Sequence, residues 1–570
     1  MNDSIADKLT LYRRRQQALN NERSTFISHW QELSKFFLPR SGRFVITDRN
    51  KGDKRYNNII DNTGTKALRT QNAGLMSGMT SPARPWVRLT TRDRALMQYQ
   101  PVKRWLDDTT EVMLNIFNVS NTYRVLPSLY GETGLYGAGC TLLLDDFDDI
   151  IRHYPLTVGE YAIAINNRNE VDTLVREYQM SVSQIVREFI APTGDRKRSG
   201  TWDWSLASAA VKNLYDAGNL DATLPVSHII EPREDREPGN RTARNMPFAS
   251  CYFESAGAND RLLRESGFMR FPALVPRWDA LGGDAWGTNC PGMESLGDVK
   301  QLQHGQTRKI QGIDYLIKPP LQIPRGTKNH EIDTLPGGVI PVDMTNNAKI
   351  QTAFDVKVDI SGQLEDIRDV RQRIRESFSN DLFLMISGME GVQPRNVEEI
   401  VERKEEKLLM LGPVVERLHN EILKPKIDIT FARMLATGIV PPPPPEMHGQ
   451  ALDVQFISVL AQAQRMIGIS GMDRFTMQLG VIAQTKPGVL DKFNEDTWAD
   501  RYADALGVDP DMIVGNAEVA LIRQQKAQAA QQQQQLAAMQ QMAETAKTAS
   551  QADTSGRNAL TDVMRPFSGY

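Results

Sequence analysis

The sequence predicts an α+β subunit, elongated and built of several substructures rather than folded as one globule. Three observations predict it. Residues before Cys140 carry apolar side chains at helical spacing. From Cys140 onward the chain breaks into short runs interrupted by Asn, Gly and Pro. Beyond 294, two helical stretches bracket a segment dense in Pro and Gly. A chain of 570 residues also exceeds the size at which a single hydrophobic core keeps growing.

In chain order, Ile5, Leu9, Tyr12, Leu19, Phe26, Trp30, Leu33 and Phe37 fall near one face of a helix that must end before Pro39. The stretch 40–55 is basic and glycine-interrupted. It reads as a solvated connector, with a DNA-touching loop as the sharper alternative. Residues 61–89 then form the most distinctive passage of the chain. Ala67, Ala73, Gly74 and Gly78 let a helix approach its neighbours closely, while Leu68, Leu75, Met76 and Met79 supply contact surface. Pro82 and Pro85 end that helix and aim Trp86, Val87 and Leu89 into a strand or an apolar seam. Helices follow at 102–118 and 121–139.

The runs 141–146, 160–165, 172–179, 227–235, 248–255 and 273–278 are strand candidates, with a hairpin turn at Asn166-Asn167-Arg168-Asn169. Asp145, Asp146, Asp148 and Asp149 invite a cation-site reading. Ile150 stands where an EF-hand loop needs glycine, and the cluster reads as a charged strand end. A mostly polar helix is expected at 294–316, with a thin stripe of Leu296, Val299, Leu302, Ile310 and Ile313. A Pro/Gly-rich, strand-containing, exposed module follows at 317–358. A second helix at 359–385 carries Leu364, Ile367, Val370, Ile374 and Phe378 on one side. A glycine-bearing loop fills 386–396. The helix after it is interrupted at Gly412-Pro413, where a kink is expected. Pro441 to Pro445 read as a polyproline II spacer, 450–515 as helical, and the Ala/Gln-rich 516–549 as a helix that needs partners to be stable.

Acidic and basic residues nearly cancel, leaving a formal charge of -3, which argues against an obligate tight nucleic-acid binder and a polybasic membrane-surface protein. Cys140, Cys251 and Cys290 lack the short spacing of a zinc site or a disulfide framework, pointing to a reducing compartment. No leader-like apolar segment or membrane-length run is seen. The chain carries no recognisable catalytic motif. Gly64-Thr65-Lys66 is followed by Ala67 and preceded by Ile59 where a phosphate loop needs glycine. There is no His-Glu-x-x-His pair, nucleophile elbow or dinucleotide fingerprint. The seven histidines lie far apart, and the glutamates at 398–406 interleave with Arg403, Lys404 and Lys407 as a charged helix face. No catalytic residue, cofactor or metal is expected.

The passage Gly74-Leu75-Met76-Ser77-Gly78-Met79-Thr80-Ser81-Pro82-Ala83-Arg84-Pro85-Trp86 resembles the signature of the head-to-tail connector (portal) family of short-tailed bacteriophages. The order of helix, Pro/Gly-rich tip, helix and loop at 294–396, and the pattern at 405–425, are similar to the same family. The resemblance implies an elongated portal-type subunit: wing 1–293, stem helix one 294–316, clip 317–358, stem helix two 359–385, tunnel loop 386–396, kinked helix returning to the wing 397–440, proline linker and crown 441–515, and a tail with a possible barrel 516–570. It implies a dodecameric ring at one capsid vertex of the virion, assembled in the host cytoplasm. DNA would enter through it by a terminase motor and leave through it on ejection. Implied partners are the large terminase subunit, a tail adaptor, the major capsid and scaffolding proteins, and double-stranded DNA that passes through without being read, with no membrane. Near-neutral charge suits passage, since every added phosphate contact must be broken during sliding. The tunnel loop would place Met389, Glu390, Val392 and Arg395 against DNA, and the clip would offer Pro324, Arg325, Lys328, Pro336 and Pro341 to partners. The alternatives are an adaptor or tail-tube ring and, disfavoured by the absent phosphate loop, a packaging enzyme.

Overall fold

The computed structural model describes residues 5–48, 50, 52–97, 99–191, 202–237, 239–240, 242–255, 261–322, 351–352, 360–387, 411–447, 449, 452–506, 514 and 516–550. They fall into two units, 1–467 and 468–570.

The first unit opens with α1 (Ile5–Phe37) and α2 (Thr63–Met79), followed by β1 (Val87–Thr91), the single turn α3 (Arg94–Met97), α4 (Gln100–Val119) and α5 (Thr122–Tyr136). α5 stops three residues short of the expected end because Gly137 takes a left-handed φ of 82° and caps it. Strands β2 (Cys140–Asp146), β3 (Ile150–Leu156), β4 (Tyr161–Ile165) and β5 (Val171–Ser181) come next, then short α6 (Val182–Ile185) and α7 (Ala209–Asp216). The sheet region closes with β6 (Thr223–Pro232), β7 (Phe248–Glu254), β8 (Arg264–Phe268) and β9 (Ala273–Leu274). An antiparallel sheet of order β4-β5-β6-β7-β8 lies beside a three-stranded sheet β3-β2-β9. The β4–β5 turn is the expected one, with Asn169 left-handed at φ 62° and the Asn166 side chain accepting from the amides of Arg168 and Glu170. β3 and β8 were not foreseen. β3 hides behind its charged start and Pro155, and β8 is a short polar edge.

α1 covers one face of the larger sheet through Leu9, Tyr12 and Leu19, against Ala162, Val175, Ile229 and Cys251. Its second half enters a core where Trp30 meets Trp286 edge-on at 4.9 Å and Phe37 meets Phe378 at 5.8 Å. The polar helix α8 (Pro291–Ile317) and α9 (Ile360–Ser377) run antiparallel, since Asp298 pairs with Arg373 while Gly305 lies against Ile367. Between them, β10 (Leu321–Gln322) pairs with β11 (Gln351–Thr352) and closes the base of the 323–350 segment.

Two expectations are corrected here. The helix expected over 359–385 is broken: α9 ends at Ser377, Ser379 takes a φ of 51°, and α10 (Asn380–Ser387) sets off anew. The break turns Phe383 onto α2. Residues 450–515 are not all helical either, because β12 (Leu452–Phe456) pairs antiparallel with β1, Val87 opposite Phe456 and Thr91 opposite Leu452. Leu452, Val454 and Phe456 alternate with polar residues, the period of a strand.

From 411 the chain is helical, and the helix that would bend at Gly412-Pro413 lies ahead of this point, outside the described residues. A π turn occupies His419–Leu423 before the helix Lys424–Thr437. Pro425 has no N–H to return to the carbonyl one turn back, and the wider turn lies immediately ahead of it. Residues 397–410 lie outside the described part. Of the prolines expected to form a spacer, Pro441 to Pro444 lie outside helix and strand, Pro445 opens a 3-10 turn through Met447, and the Pro441 carbonyl accepts from Trp105 Nε1 at 2.9 Å.

The second unit contains the end of the helix Val459–Thr485, the helix Glu495–Leu506 and the helix Asn516–Ser550. Arg523 reaches back to Glu495 and Asp496. Leu521, Ile522, Leu536, Met539 and Met542 stand exposed along the last helix.

The close approach of α2 to α10 yields a test. A Cβ on Gly74 would lie 2.4 Å from Phe383 Cβ, a stem atom that cannot rotate away, whereas one on Gly78 would meet Leu460 side-chain atoms at 2.8 Å. Gly74→Ala is expected to cost about 2 to 3 kcal/mol and Gly78→Ala distinctly less, read as the ordering of thermal melting by circular dichroism.

Candidate functional site

The distinctive passage is the meeting point of distant segments. α2 buries Gly64, Ala67, Leu68, Gln71, Gly74, Leu75, Gly78 and Met79. Its end is fixed by Thr80, fully buried, whose hydroxyl lies 3.1 Å from that of Tyr130 on α5. Ser81 is half-buried, while Pro82, Arg84 and Pro85 face solvent. The chain then dives inward at Trp86. Its indole Nε1 donates to Tyr123 Oη at 3.0 Å and its ring stacks on Phe117 at 5.7 Å.

Lys426 completes this cluster. It is fully buried, its Nζ makes no hydrogen bond among the described residues, and it stands 4.6 Å from the centroids of both Trp86 and Phe117. Burial pushes the ammonium down to about 7. The two ring faces oppose that shift, because their negative quadrupoles favour the charged form. His153 is also buried with both ring nitrogens unpartnered, and burial together with the Lys426 charge holds it down to about 3, neutral at any ordinary pH. A turn before Lys426, Glu421 takes the buried Arg277 guanidinium at 2.6 Å and its backbone N–H at 2.7 Å, anchoring the helix to the loop after β9.

Asp61 forms the second junction, directly ahead of α2. Its Oδ1 accepts from the Thr63 amide and hydroxyl, and its Oδ2 accepts from Gln306 Nε2 of α8 and from Arg371 of α9 at 2.7 Å. Gln303 adds contacts to the amides of Ile60 and Asp61 and to the Asp61 carbonyl. Burial alone would raise this carboxyl. The hydrogen bonds from Thr63 and Arg371, with the Arg371 charge, outweigh it and hold the group below the usual range. One carboxylate thus ties the root of the α8–α9 pair to the start of α2.

Along that pair Ile367, Val370, Ile374 and Phe378 are buried. Leu364 is not: it is 39% exposed, and Ile310 on α8 is 46% exposed. Tyr315, Leu316 and Ile317 are exposed at the same end of α8. Met389, Glu390, Val392 and Arg395, and Pro324, Arg325, Lys328, Pro336 and Pro341, lie outside the described residues. Among the described residues no group of His, Cys, Asp or Glu is arranged to hold a metal, and no helix is long and apolar enough to cross a membrane.

The model of the bacteriophage head to tail connecting protein family matches residues 9–514. The chain belongs to this family. A probable portal protein of Bordetella phage BPP-1 is 52% identical over 554 residues, covering 97% of each chain. The portal protein of Salmonella phage epsilon15 is 41% identical over 546 residues, covering 96% of each. A chain from the neck of an empty gene transfer agent particle is similar with a TM-score of 0.36 and 12% identity, over 83% of this chain and 98% of that one, too distant to define the fold. The family and these relatives give the chain the function of a phage portal, seated at the head–tail connection of the virion.

Sequence reasoning named the motif but missed its partners. Lys426 had a signal: it lies on the stripe shared by Ile422, Ile427, Thr430 and Met434, where an apolar residue is expected. Asp61, Arg277 and Phe383 carried none, since their partners lie 310, 144 and 309 positions away and only the fold brings them together.

Asp61→Asn is expected to lower stability by about 2 kcal/mol in urea unfolding, less than for a wholly buried pair because Arg371 is 38% exposed and can turn to water. For Lys426, the unfolded chain keeps a proton between about pH 7 and 10 that the folded chain releases, so this residue makes stability rise with pH across that window. The slope is at most ~1.4 kcal/mol per pH unit. Unfolding series at pH 7, 8 and 9 should show a smaller rise in Lys426→Met than in the wild type.

Proposed function

We propose that copies of this chain close into a ring, twelve in number, whose central hole passes double-stranded DNA during packaging by a terminase and during ejection. The observation that carries the ring is the α8–α9 pair. Its inner half is sealed by Ile367, Val370, Ile374 and Phe378, while Ile310, Tyr315, Leu316, Ile317 and Leu364 at its outer half are left to solvent in the single subunit. Neighbouring copies would cover them, and burying such side chains is what drives association. In this reading α8 and α9 are the stem. Residues 317–358 are a clip that docks the terminase and later the tail adaptor through Pro324, Arg325, Lys328, Pro336 and Pro341. Residues 386–396 are a tunnel loop presenting Met389, Glu390, Val392 and Arg395 to DNA. The role is structural and needs no catalytic residue.

Negative-stain images of purified protein are expected to show rings with a central hole, and a strictly monomeric light-scattering profile at all concentrations overturns the ring. Arg395→Glu should leave rings intact and reduce the DNA retained in filled particles. Particles that fill and hold genomes as the wild type does would remove the loop from the channel.

A further inference from the structure

Two features of the first unit have no role in the portal reading so far. One is the tip between β2 and β3, Asp145-Asp146-Phe147-Asp148-Asp149. Phe147 is 104% exposed, and no other large apolar side chain among the described residues is more so. The tip is well held, with the Asp146 side chain accepting from the amides of Asp148 at 2.9 Å and Asp149 at 3.0 Å. Arg433 pairs with Asp145 and Arg152 with Asp149, while no ion pair among the described residues engages Asp146 or Asp148. The tip is therefore an aromatic knob with uncompensated negative charge.

The other feature is the loop after α1. Between 40 and 55 it carries six basic residues against two acidic ones. Val45, Ile46, Tyr56 and Ile60, in and just beyond it, are each between 42% and 59% exposed. The loop is clamped to the 157–160 turn. Gly42 N donates to Thr157 Oγ1 and Arg43 N to the Val158 carbonyl, both at 2.9 Å, Arg43 pairs with Glu160, and Ser41 donates to the half-buried Glu132 carboxyl. That turn follows the end of β3 away from the Phe147 tip. Seven residues of strand, at about 3.3 Å each, hold the two features roughly 20 Å apart.

An acidic aromatic tip and a basic, partly apolar loop at opposite ends of one hairpin do not meet within a subunit. They complement each other between subunits arranged head to tail, the kind of contact that closes into a ring. We propose that the Phe147 tip of one copy docks on the 40–60 loop of the next copy. Phe147 is then covered by Val45, Ile46 and Tyr56, and Asp146 and Asp148 face the loop's basic side chains, Lys54 among them. The inference rests on the ring reading above and adds which surfaces of consecutive copies touch.

The test uses full-length protein with two double variants at exposed positions, Phe147→Ser with Asp148→Lys, and Ile46→Ser with Lys54→Glu. Each alone should need about tenfold more protein, or beyond, to form rings. Mixed in equal amounts at a concentration where neither associates, they should form dimers, since each mixed pair restores one intact tip-and-loop contact. In a separate variant, Phe147→Cys with Ile46→Cys, a short thiol cross-linker should give a ladder of multimers that neither single cysteine gives. Wild-type rings together with double variants that assemble like the wild type, and no ladder, overturn this contact and leave the ring reading standing. A wild type that stays monomeric while the cysteine pair still gives cross-linked dimers overturns the ring and keeps the contact. A monomeric wild type with no cross-linking overturns both.

Discussion

The structure of the first unit depends on how closely other helices can approach α2. At Gly74 the Phe383 side chain occupies the space a side chain would fill, and at Gly78 Leu460 does the same. Two segments that follow α2 by some three hundred residues and more are thereby drawn into the core around Leu75, Met79 and Trp86. Interior packing at that density tolerates little added volume, so small residues at these crossings act as a geometric requirement on the fold. The break at Ser379 belongs to the same constraint, because only a change of direction between α9 and α10 lays Phe383 on α2.

Around that crossing, polar residues set direction where apolar contacts alone would leave it free. Asp61 joins the roots of α8 and α9 to α2, and Glu421 with Arg277 fixes the 411–437 helical stretch to the sheet side of the unit. Both are carboxylates satisfied by several donors, the condition under which a buried charge is tolerated. Lys426 departs from it, having two aromatic faces and no acceptor. The Trp86 that ends the motif is thus packed against a lysine from a helix far along the chain. α2, β1 and that helix share one apolar core.

Charge is distributed by the same logic of local opposition within overall balance. The whole chain is close to neutral, yet the 40–55 loop is basic and the Phe147 tip acidic. Such separation favours orientation over bulk attraction, since complementary patches set which surfaces meet.

By itself the sequence determined the α+β class, the long first helix, most of the strand runs, the Asn166 to Asn169 turn and the family motif. Each is written in local periodicity or in turn residues whose backbone preferences act over a few positions. The same logic located the stripe of Ile367, Val370, Ile374 and Phe378. It did not reveal that Leu364 stays exposed, that the second helix breaks at Ser379, that Leu452 to Phe456 is a strand, or that a lysine sits beneath Trp86. Those outcomes were decided by tertiary structure. A helical stripe is buried only as far as its partner offers apolar surface, a strand forms where an unpaired edge such as β1 waits for it, and a lysine without an acceptor is accommodated here where aromatic rings from separate segments converge.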